Sequence, residues 1–82
     1  MPTVLRFLSY RVAIHTNDHQ PCHVHVIGPA GEAEFWLACP EGPPVLRKYY
    51  GLQSRSLVLI RKRLEEHLPA LCKEWSSIHG DF

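Results

Sequence analysis

Two alternating segments joined by a short turn place the strongest constraint on how this chain folds. Apolar and polar residues alternate along most of Cys22–Ile27 and Glu32–Ala38, and the sequence Gly-Pro-Ala-Gly separates the two segments. A period of two is typical of strands that bury one face, and a short loop rich in glycine and proline is typical of a hairpin. The four-residue loop predicts an antiparallel register in which Ile27 faces Glu32.

The predicted register gives the hairpin two chemically different faces. Counting back from the turn, His25 lies opposite Glu34 and His23 lies opposite Trp36. The apolar face is predicted to cover the core and consists of Cys22, Val24, Val26, Ala33, Phe35 and Leu37. The other face is predicted to point away from the core and carries His23, His25, Glu32, Glu34 and Trp36.

Strand patterns precede the hairpin and a helical pattern follows it. Thr3–Leu8 and Tyr10–His15 are rich in β-branched and aromatic residues and are predicted to be strands. Val45–Tyr50 fits either a short edge strand or a helical turn. From Ser54 onward, apolar residues recur at spacings of three and four, which is typical of one amphipathic helix. They are Leu57, Ile60, Leu64, Leu68, Leu71, Trp75 and Ile78.

Pro69 lies inside this helical pattern, where it would cost about 3 kcal/mol in a straight helix. The apolar stripe keeps its phase across the proline, so we expect a kink or a short break. The predicted fold is α+β, with an antiparallel β-meander of about four strands and a long C-terminal α-helix packed on one face. Residues 1–82 are expected to form a single domain.

The net charge and the cysteine content limit the kinds of protein to which this chain can belong. The formal net charge of +1 excludes a globally basic or acidic binding design. Cys22, Cys39 and Cys72 are odd in number and form no CxxC pair, so three free thiols in a reducing compartment are expected. The sequence shows neither the pattern of a signal peptide nor an apolar run long enough to span a membrane. We therefore expect a cytoplasmic protein without a membrane segment.

The histidine-rich segment around His23 and His25 is the main candidate for a functional site. Both imidazoles are predicted to project from one strand face, where Glu34, or Asp18 and His19 from the preceding loop, could complete a metal site. The sequence contains no motif with firm metal-ligand spacing. A solvated sheet face with cross-strand pairs is the favoured interpretation, and no cofactor is expected.

General acid–base catalysis is an alternative use of His23 and His25. Two imidazoles that titrate near neutral pH can share the acid and base roles in RNA cleavage without a metal. Arg11, or Arg47 with Lys48, would then hold a phosphate. No nucleophile elbow or phosphate-binding glycine loop supports this chemistry, so enzymatic activity stays an open alternative.

The remaining polar features have structural explanations beside functional ones. Asn17 and Asp18 favour a turn, in which Asp18 is expected to cap backbone donors. Trp36 on the polar hairpin face is the kind of aromatic residue found at protein interfaces.

A basic cluster on the predicted helix is expected to be a solvated face with local salt bridges, although weak contact with nucleic acid stays open. The cluster consists of Arg55, Arg61, Lys62 and Arg63, followed at once by Glu65 and Glu66.

Several segments resemble the bacterial domain of unknown function 4160 family. They are the opening residues 1–7, the Asn17-Asp18-His19-x-Pro21-x-His23-Val24-His25-Val26 block, Gly31–Leu37, Tyr50-Gly51-Leu52 and the tryptophan near the end of the last helix. The resemblance covers nearly the whole chain and implies a small bacterial toxin–antitoxin component. It implies a partner from the domain of unknown function 2442 family and carries no established activity.

Together these observations predict a protein that binds a small cognate toxin-like or antitoxin-like partner. The expected working surface is the His/Glu sheet face with the adjoining loop, in which Asn17, Asp18, His19, Glu34 and Trp36 make contacts. The alternatives are a small ribonuclease-like or metal-dependent enzyme that uses His23 and His25, and a non-catalytic regulator that binds nucleic acid. The sequence does not decide whether the chain is the toxin or the antitoxin. It also does not decide whether the chain forms a homo-oligomer.

Overall fold

A computed structural model describes residues 3–80 and residue 82 and shows an α+β fold. The strands are β1 (Thr3–Phe7), β2 (Tyr10–Ala13), β3 (His23–Ile27), β4 (Glu32–Trp36) and β5 (Val45–Tyr50), and the helices are α1 (Ser54–Glu66) and α2 (Leu68–His79). The strands form one antiparallel meander in the order β1-β2-β3-β4-β5. The predicted α+β class and antiparallel meander are therefore confirmed.

The β3–β4 hairpin has the predicted register. Ile27 pairs with Glu32, His25 with Glu34, and His23 with Trp36. The pairing continues past the strand ends, because the Leu37 N–H donates to the Cys22 carbonyl at 3.0 Å. All six residues of the predicted apolar face are buried: Cys22, Val24, Val26, Ala33, Phe35 and Leu37.

The predicted number of strands is wrong, because Val45–Tyr50 forms a fifth strand at the edge of the sheet. Its pairing with β4 joins Glu34 to Lys48 but Phe35 to Leu46, so Arg47 is an extra residue. Such a β-bulge re-aims a side chain relative to regular alternation. The sequence of β5 does not alternate because this bulge shifts the two halves of the strand by one residue.

The predicted C-terminal helix differs in detail: the expected break near Pro69 occurs at His67, where two separate helices meet. The His67 N–H donates to the carbonyls of Arg63 and Leu64, and its carbonyl accepts the Leu71 N–H. Pro69 is in the first turn of α2, where a backbone N–H has no intrahelical partner. Within the described chain, neither helix combines the length and apolarity needed to cross a bilayer.

One hydrophobic core lies between the apolar sheet face and the two helices. The apolar stripe continues through the break between α1 and α2, so both helices pack with the same side. The side chains at the centre of this core are fully or almost fully buried: Val12, Val24, Val26, Phe35, Ile60, Leu64 and Trp75.

The expectation of three free thiols is wrong, because Cys39 and Cys72 form a disulfide with a Cα–Cα distance of 5.8 Å. The bond joins the loop after β4 to α2. Cys22 is free and buried, and its Sγ accepts a hydrogen bond from the Cys39 N–H at 3.3 Å. The prediction of a cytoplasmic protein therefore loses the support that three free thiols gave it.

Candidate functional site

A cavity of about 300 Å³ opens over the polar face of the β3–β4 hairpin. We call it the polar pocket. Its walls come from the loop between β2 and β3, from the hairpin itself and from the bulge of β5. The lining residues are Asn17, Asp18, His19, Gln20, Pro21, His23, His25, Glu34, Trp36 and Arg47. The structure thus brings together every predicted catalytic, metal-binding and partner-binding residue.

His25 lies between two carboxylates. Its Nε2 is 3.0 Å from Asp18 Oδ2, and its Nδ1 is 3.3 Å from Glu34 Oε1. The contact with Glu34 follows directly from the hairpin register, which places these residues opposite each other. One ring nitrogen of His25 therefore faces each carboxylate.

Asp18 links the loop to the sheet. Its Oδ2 accepts the His15 backbone N–H at 3.1 Å, as expected for a capping aspartate, and also faces both strand histidines. Burial by itself would raise the pKa of Asp18. The hydrogen bonds from His25 and from the His15 backbone, with the neighbouring imidazoles, outweigh burial and lower this pKa. Asp18 therefore pairs with histidine side chains as well as capping the turn.

His23 is held in a defined orientation. Its Nδ1 lies 2.9 Å from the Pro21 carbonyl oxygen, so this nitrogen donates its hydrogen to the carbonyl. Nε2 is 3.5 Å from Asp18 Oδ2. The rings of Trp36 and Trp75 lie beside the imidazole, with centroids at 5.9 and 5.3 Å. His23 therefore directs Nε2 toward the carboxylate of Asp18.

Glu34 is buried between two cationic or polar partners. Oε2 accepts a hydrogen bond from Arg47 Nη1, while Oε1 faces His25. The Arg47 guanidinium also lies 4.6 Å from the Trp36 ring centroid, which is a cation–π arrangement. The β5 bulge places Arg47 on the same side of the sheet as Glu34 and Trp36. Arg47 thereby closes one side of the polar pocket.

The prediction that the polar hairpin face points away from the core into solvent is wrong at this end of the sheet. His23 and Glu34 have only 6% and 7% of their surface exposed. The loop carrying Asp18 folds back over the face, and Arg47 covers it from the other side. The physical reason is charge pairing, because a carboxylate is buried only where cations or hydrogen-bond donors surround it.

His15 belongs to the same cluster and was not a predicted site residue. Its ring stacks on His25 with centroids 3.9 Å apart, and its carbonyl accepts a hydrogen bond from His79 Nε2. Burial, followed by the nearby His25 imidazole, lowers the pKa of His15. Among the described residues, His15 Nε2 is the buried side-chain atom without a hydrogen-bond partner. The register of β2 with β3 pairs Ala13 with His25 and thereby brings His15, two residues beyond Ala13, to the diagonal position beside His25.

The basic helix cluster lies outside the polar pocket. Arg61 forms the expected local ion pair with Glu65 at 3.5 Å, and the Arg63 guanidinium lies over the Phe7 ring. Arg55 and Lys62 are exposed on α1. The structure does not bring these four cations to the histidines.

Two sets of side chains in the cluster have the composition and spacing of metal ligands. His23, His25 and Glu34 each offer a ligand atom within 4.8 Å of the others, and so do His15, Asp18 and His25. The first set consists of the residues that the sequence offers as metal ligands, should the protein bind a metal. His25 belongs to both sets, and its two nitrogens point to different carboxylates.

The family model of the Domain of unknown function (DUF4160) matches residues 9–76. That range includes the whole polar pocket and both helices up to Ser76. No curated protein and no solved structure matches the chain.

Proposed function

Since the chain belongs to the DUF4160 family, whose function is unassigned, we propose that it is one component of a bacterial two-protein module of the toxin–antitoxin type. The cognate partner is a small acidic protein, expected from the domain of unknown function 2442 family. It contacts the polar pocket and the adjacent edge strand β5.

The polar pocket carries this proposal, because it concentrates convergent polar and aromatic groups in one place. A volume of about 300 Å³ accommodates one large side chain or a chain terminus. Trp36 and Arg47 are residue types that contribute strongly to protein interfaces. Their stacked arrangement at the pocket wall is pre-formed, so binding requires little ordering of either side chain.

The edge strand β5 supports an acidic partner. Within the described residues, no strand pairs with its outer side, and unpaired strand edges are common docking sites for extended segments. Val45, Tyr49 and Tyr50 are at least half exposed. Lys48 adds a positive charge to the same strand, while the charge of Arg47 is paired with Glu34. A partner strand with acidic side chains would find backbone, aromatic and charged contacts there.

Co-expression with the product of the neighbouring gene tests the proposal. We expect the two proteins to co-purify and to elute together in size-exclusion chromatography. Trp36→Ala should weaken the complex by about tenfold or more, because truncation of a central interface aromatic costs over 1 kcal/mol. Lys62→Ala, which removes an exposed cation outside the pocket, is the matched control and should bind normally. A chain that stays monomeric beside its neighbour would disprove the proposal.

Phosphodiester cleavage is a second candidate, favoured by the different surroundings of the two strand histidines. His23 is oriented by the Pro21 carbonyl with Nε2 facing Asp18, while His25 has one ring nitrogen beside each of two carboxylates, so the two imidazoles would divide the base and acid roles. In this alternative, Arg47 would steady the phosphate. The double variant His23→Ala/His25→Ala should abolish growth arrest and RNA cleavage while circular dichroism shows a folded protein. Undiminished toxicity of the folded double variant would exclude this candidate.

A further inference from the structure

We infer that His23, His25 and Glu34 form a binding site for one divalent first-row transition metal ion. The three side chains come from neighbouring strands and place one ligand atom each within 4.8 Å of the other two. Two imidazoles and one carboxylate are a ligand set that zinc and iron proteins use with an open position for water or substrate. This site goes beyond the proposed partner binding and is tested on the isolated chain.

The separation of one pair of ligand atoms fits the expected bond lengths. His25 Nδ1 and Glu34 Oε1 are 3.3 Å apart. Bonds of about 2.0–2.2 Å in a tetrahedral arrangement place neighbouring ligand atoms roughly 3.3–3.6 Å from each other. An ion between these two atoms therefore needs little movement of the hairpin, whose register already holds the side chains opposite each other.

Each of the three ligands has an outer partner that fixes its ligating atom. His23 donates Nδ1–H to the Pro21 carbonyl, which leaves Nε2 to bind the ion. His25 uses Nε2 to contact Asp18, which leaves Nδ1. Metal-binding histidines in proteins almost always donate their other nitrogen to a carbonyl or a carboxylate in this way.

Glu34 shows the same division between its two oxygens. Oε2 is held by Arg47, while Oε1 faces His25. Such a hydrogen bond orients a ligating carboxylate and keeps one oxygen available. Asp18 and Arg47 are therefore positioning residues, since each acts on the ion through a ligand.

The competing set of His15, Asp18 and His25 would give the unpartnered His15 Nε2 a ligand role, but it disrupts more of the other contacts. This set would bind the ion through His25 Nε2. The contact between His25 and Glu34 would then have to be made by a hydrogen on Nδ1. It would also make Asp18 a ligand although its Oδ2 already accepts the His15 backbone N–H. In the inferred site, the loop residue Asp18 retains both of its hydrogen bonds.

Titration of untagged, chelator-treated protein with Co²⁺ tests the inference. We expect binding of one equivalent, seen as visible d–d absorption without a thiolate charge-transfer band, because both cysteines of the disulfide and buried Cys22 lie outside the set. Competition by Zn²⁺ should remove the absorption. Bound Zn²⁺ should also raise the Tm in a concentration-dependent way, since a ligand that binds only the folded state stabilises it.

Variants distinguish the ligands from their surroundings. His23→Asn, His25→Asn and Glu34→Gln should each abolish the one-to-one cobalt spectrum, with circular dichroism used to verify the fold. Asp18→Asn should retain the stoichiometry but weaken affinity about 10- to 100-fold, as loss of an outer partner does. His67→Asn, at an exposed histidine between the helices, is the matched control and should bind like the parent protein.

Three results would overturn the inference. If His15→Asn abolishes binding while Glu34→Gln preserves it, the ion belongs to the other set. If the folded parent protein binds no Co²⁺ or Zn²⁺ at neutral pH, a proton rather than a metal joins His25 to Glu34. A charge-transfer band from a thiolate would likewise refute the proposed ligands.

Discussion

At the scale of single residues, the charged groups of the polar pocket are stabilised by pairing with one another instead of by hydration. Glu34 keeps only 7% of its surface exposed, and a buried carboxylate without partners costs several kcal/mol. Arg47 and His25 satisfy one oxygen each, so the charge is compensated within the protein. The cluster therefore contributes to the fold itself. Replacing any one of these residues would leave the polar group of another without a partner.

The tyrosine at the end of β5 offers a residue-scale prediction that is separate from the pocket. Tyr50 donates its hydroxyl hydrogen to Glu32 Oε2 at 2.9 Å, and this hydrogen bond to the carboxylate raises the pKa of Tyr50. Ionised Tyr50 would lose the bond and would lie beside a like charge. Glu32→Gln should therefore lower the pKa of Tyr50, as followed by NMR of the ring carbons during an alkaline titration.

The matched control for this titration is Glu41→Gln, which removes an exposed carboxylate from the loop before β5. It should leave the Tyr50 titration curve where it is in the parent protein. An unchanged midpoint in Glu32→Gln would show that the hydrogen bond does not form in solution.

The pairing of His25 with Glu34 could be predicted from the sequence, and the pairing of His25 with Asp18 could not. Hairpin register depends on turn length and alternation, both of which are visible in the sequence. The position of Asp18 depends on how the Thr16–Pro21 loop folds back. The sequence offers Arg47 only beside Arg11 and Lys48 as a possible phosphate contact, because the bulge that sets the face of Arg47 is not visible in the sequence.

At the scale of elements, the helix break at His67 changes what Pro69 does for stability. Inside a continuous helix, proline costs about 3 kcal/mol, and its replacement by alanine would stabilise the protein by a similar amount. In the first turn of α2 proline removes no intrahelical hydrogen bond, because a backbone N–H at that position has no intrahelical acceptor. Pro69→Ala should therefore decrease the free energy of unfolding by about 0.4–1 kcal/mol, because the unfolded chain gains conformational freedom.

Urea denaturation of the two proteins measures this difference and its sign. Lys73→Pro serves as the comparison, because it introduces proline into the interior of α2 and should cost about 3 kcal/mol. A clear gain in stability for Pro69→Ala would contradict the two-helix architecture in solution.

Element identity was predictable where the periodicity was regular and unpredictable where it was interrupted. The buried stripe from Leu57 to Ile78 continues in phase across Pro69, so pattern alone does not separate one kinked helix from two helices. Val45–Tyr50 lacks alternation because of its bulge and its exposed edge position. Both ambiguities concern connections between elements, which depend on tertiary packing.

At the scale of the whole molecule, a small core is supplemented by one covalent bond. Cys39–Cys72 joins the end of the hairpin to α2 across 33 residues of sequence. An odd number of cysteines without close pairs gave no indication of this bond. It became apparent only from the fold, which brings the loop after β4 against the second helix.

Removal of the disulfide should therefore lower global stability more than any surface substitution. Closing a loop of this length restricts the unfolded chain, and the expected contribution is about 2–4 kcal/mol. For a domain of this size that is a large part of the usual 5–15 kcal/mol. We expect Cys39→Ser/Cys72→Ser to lower the free energy of unfolding by this amount in urea denaturation.

The same experiment with a reductant identifies the bonded pair. Reduction should destabilise the parent protein as much as the double substitution does, and it should have no effect on the double variant. Cys22→Ala is the matched control: it removes the free buried thiol, and the protein should still lose about 2–4 kcal/mol on reduction. Equal stability of the oxidised and reduced parent protein would show that Cys39 and Cys72 remain thiols, which would restore the original expectation from the sequence.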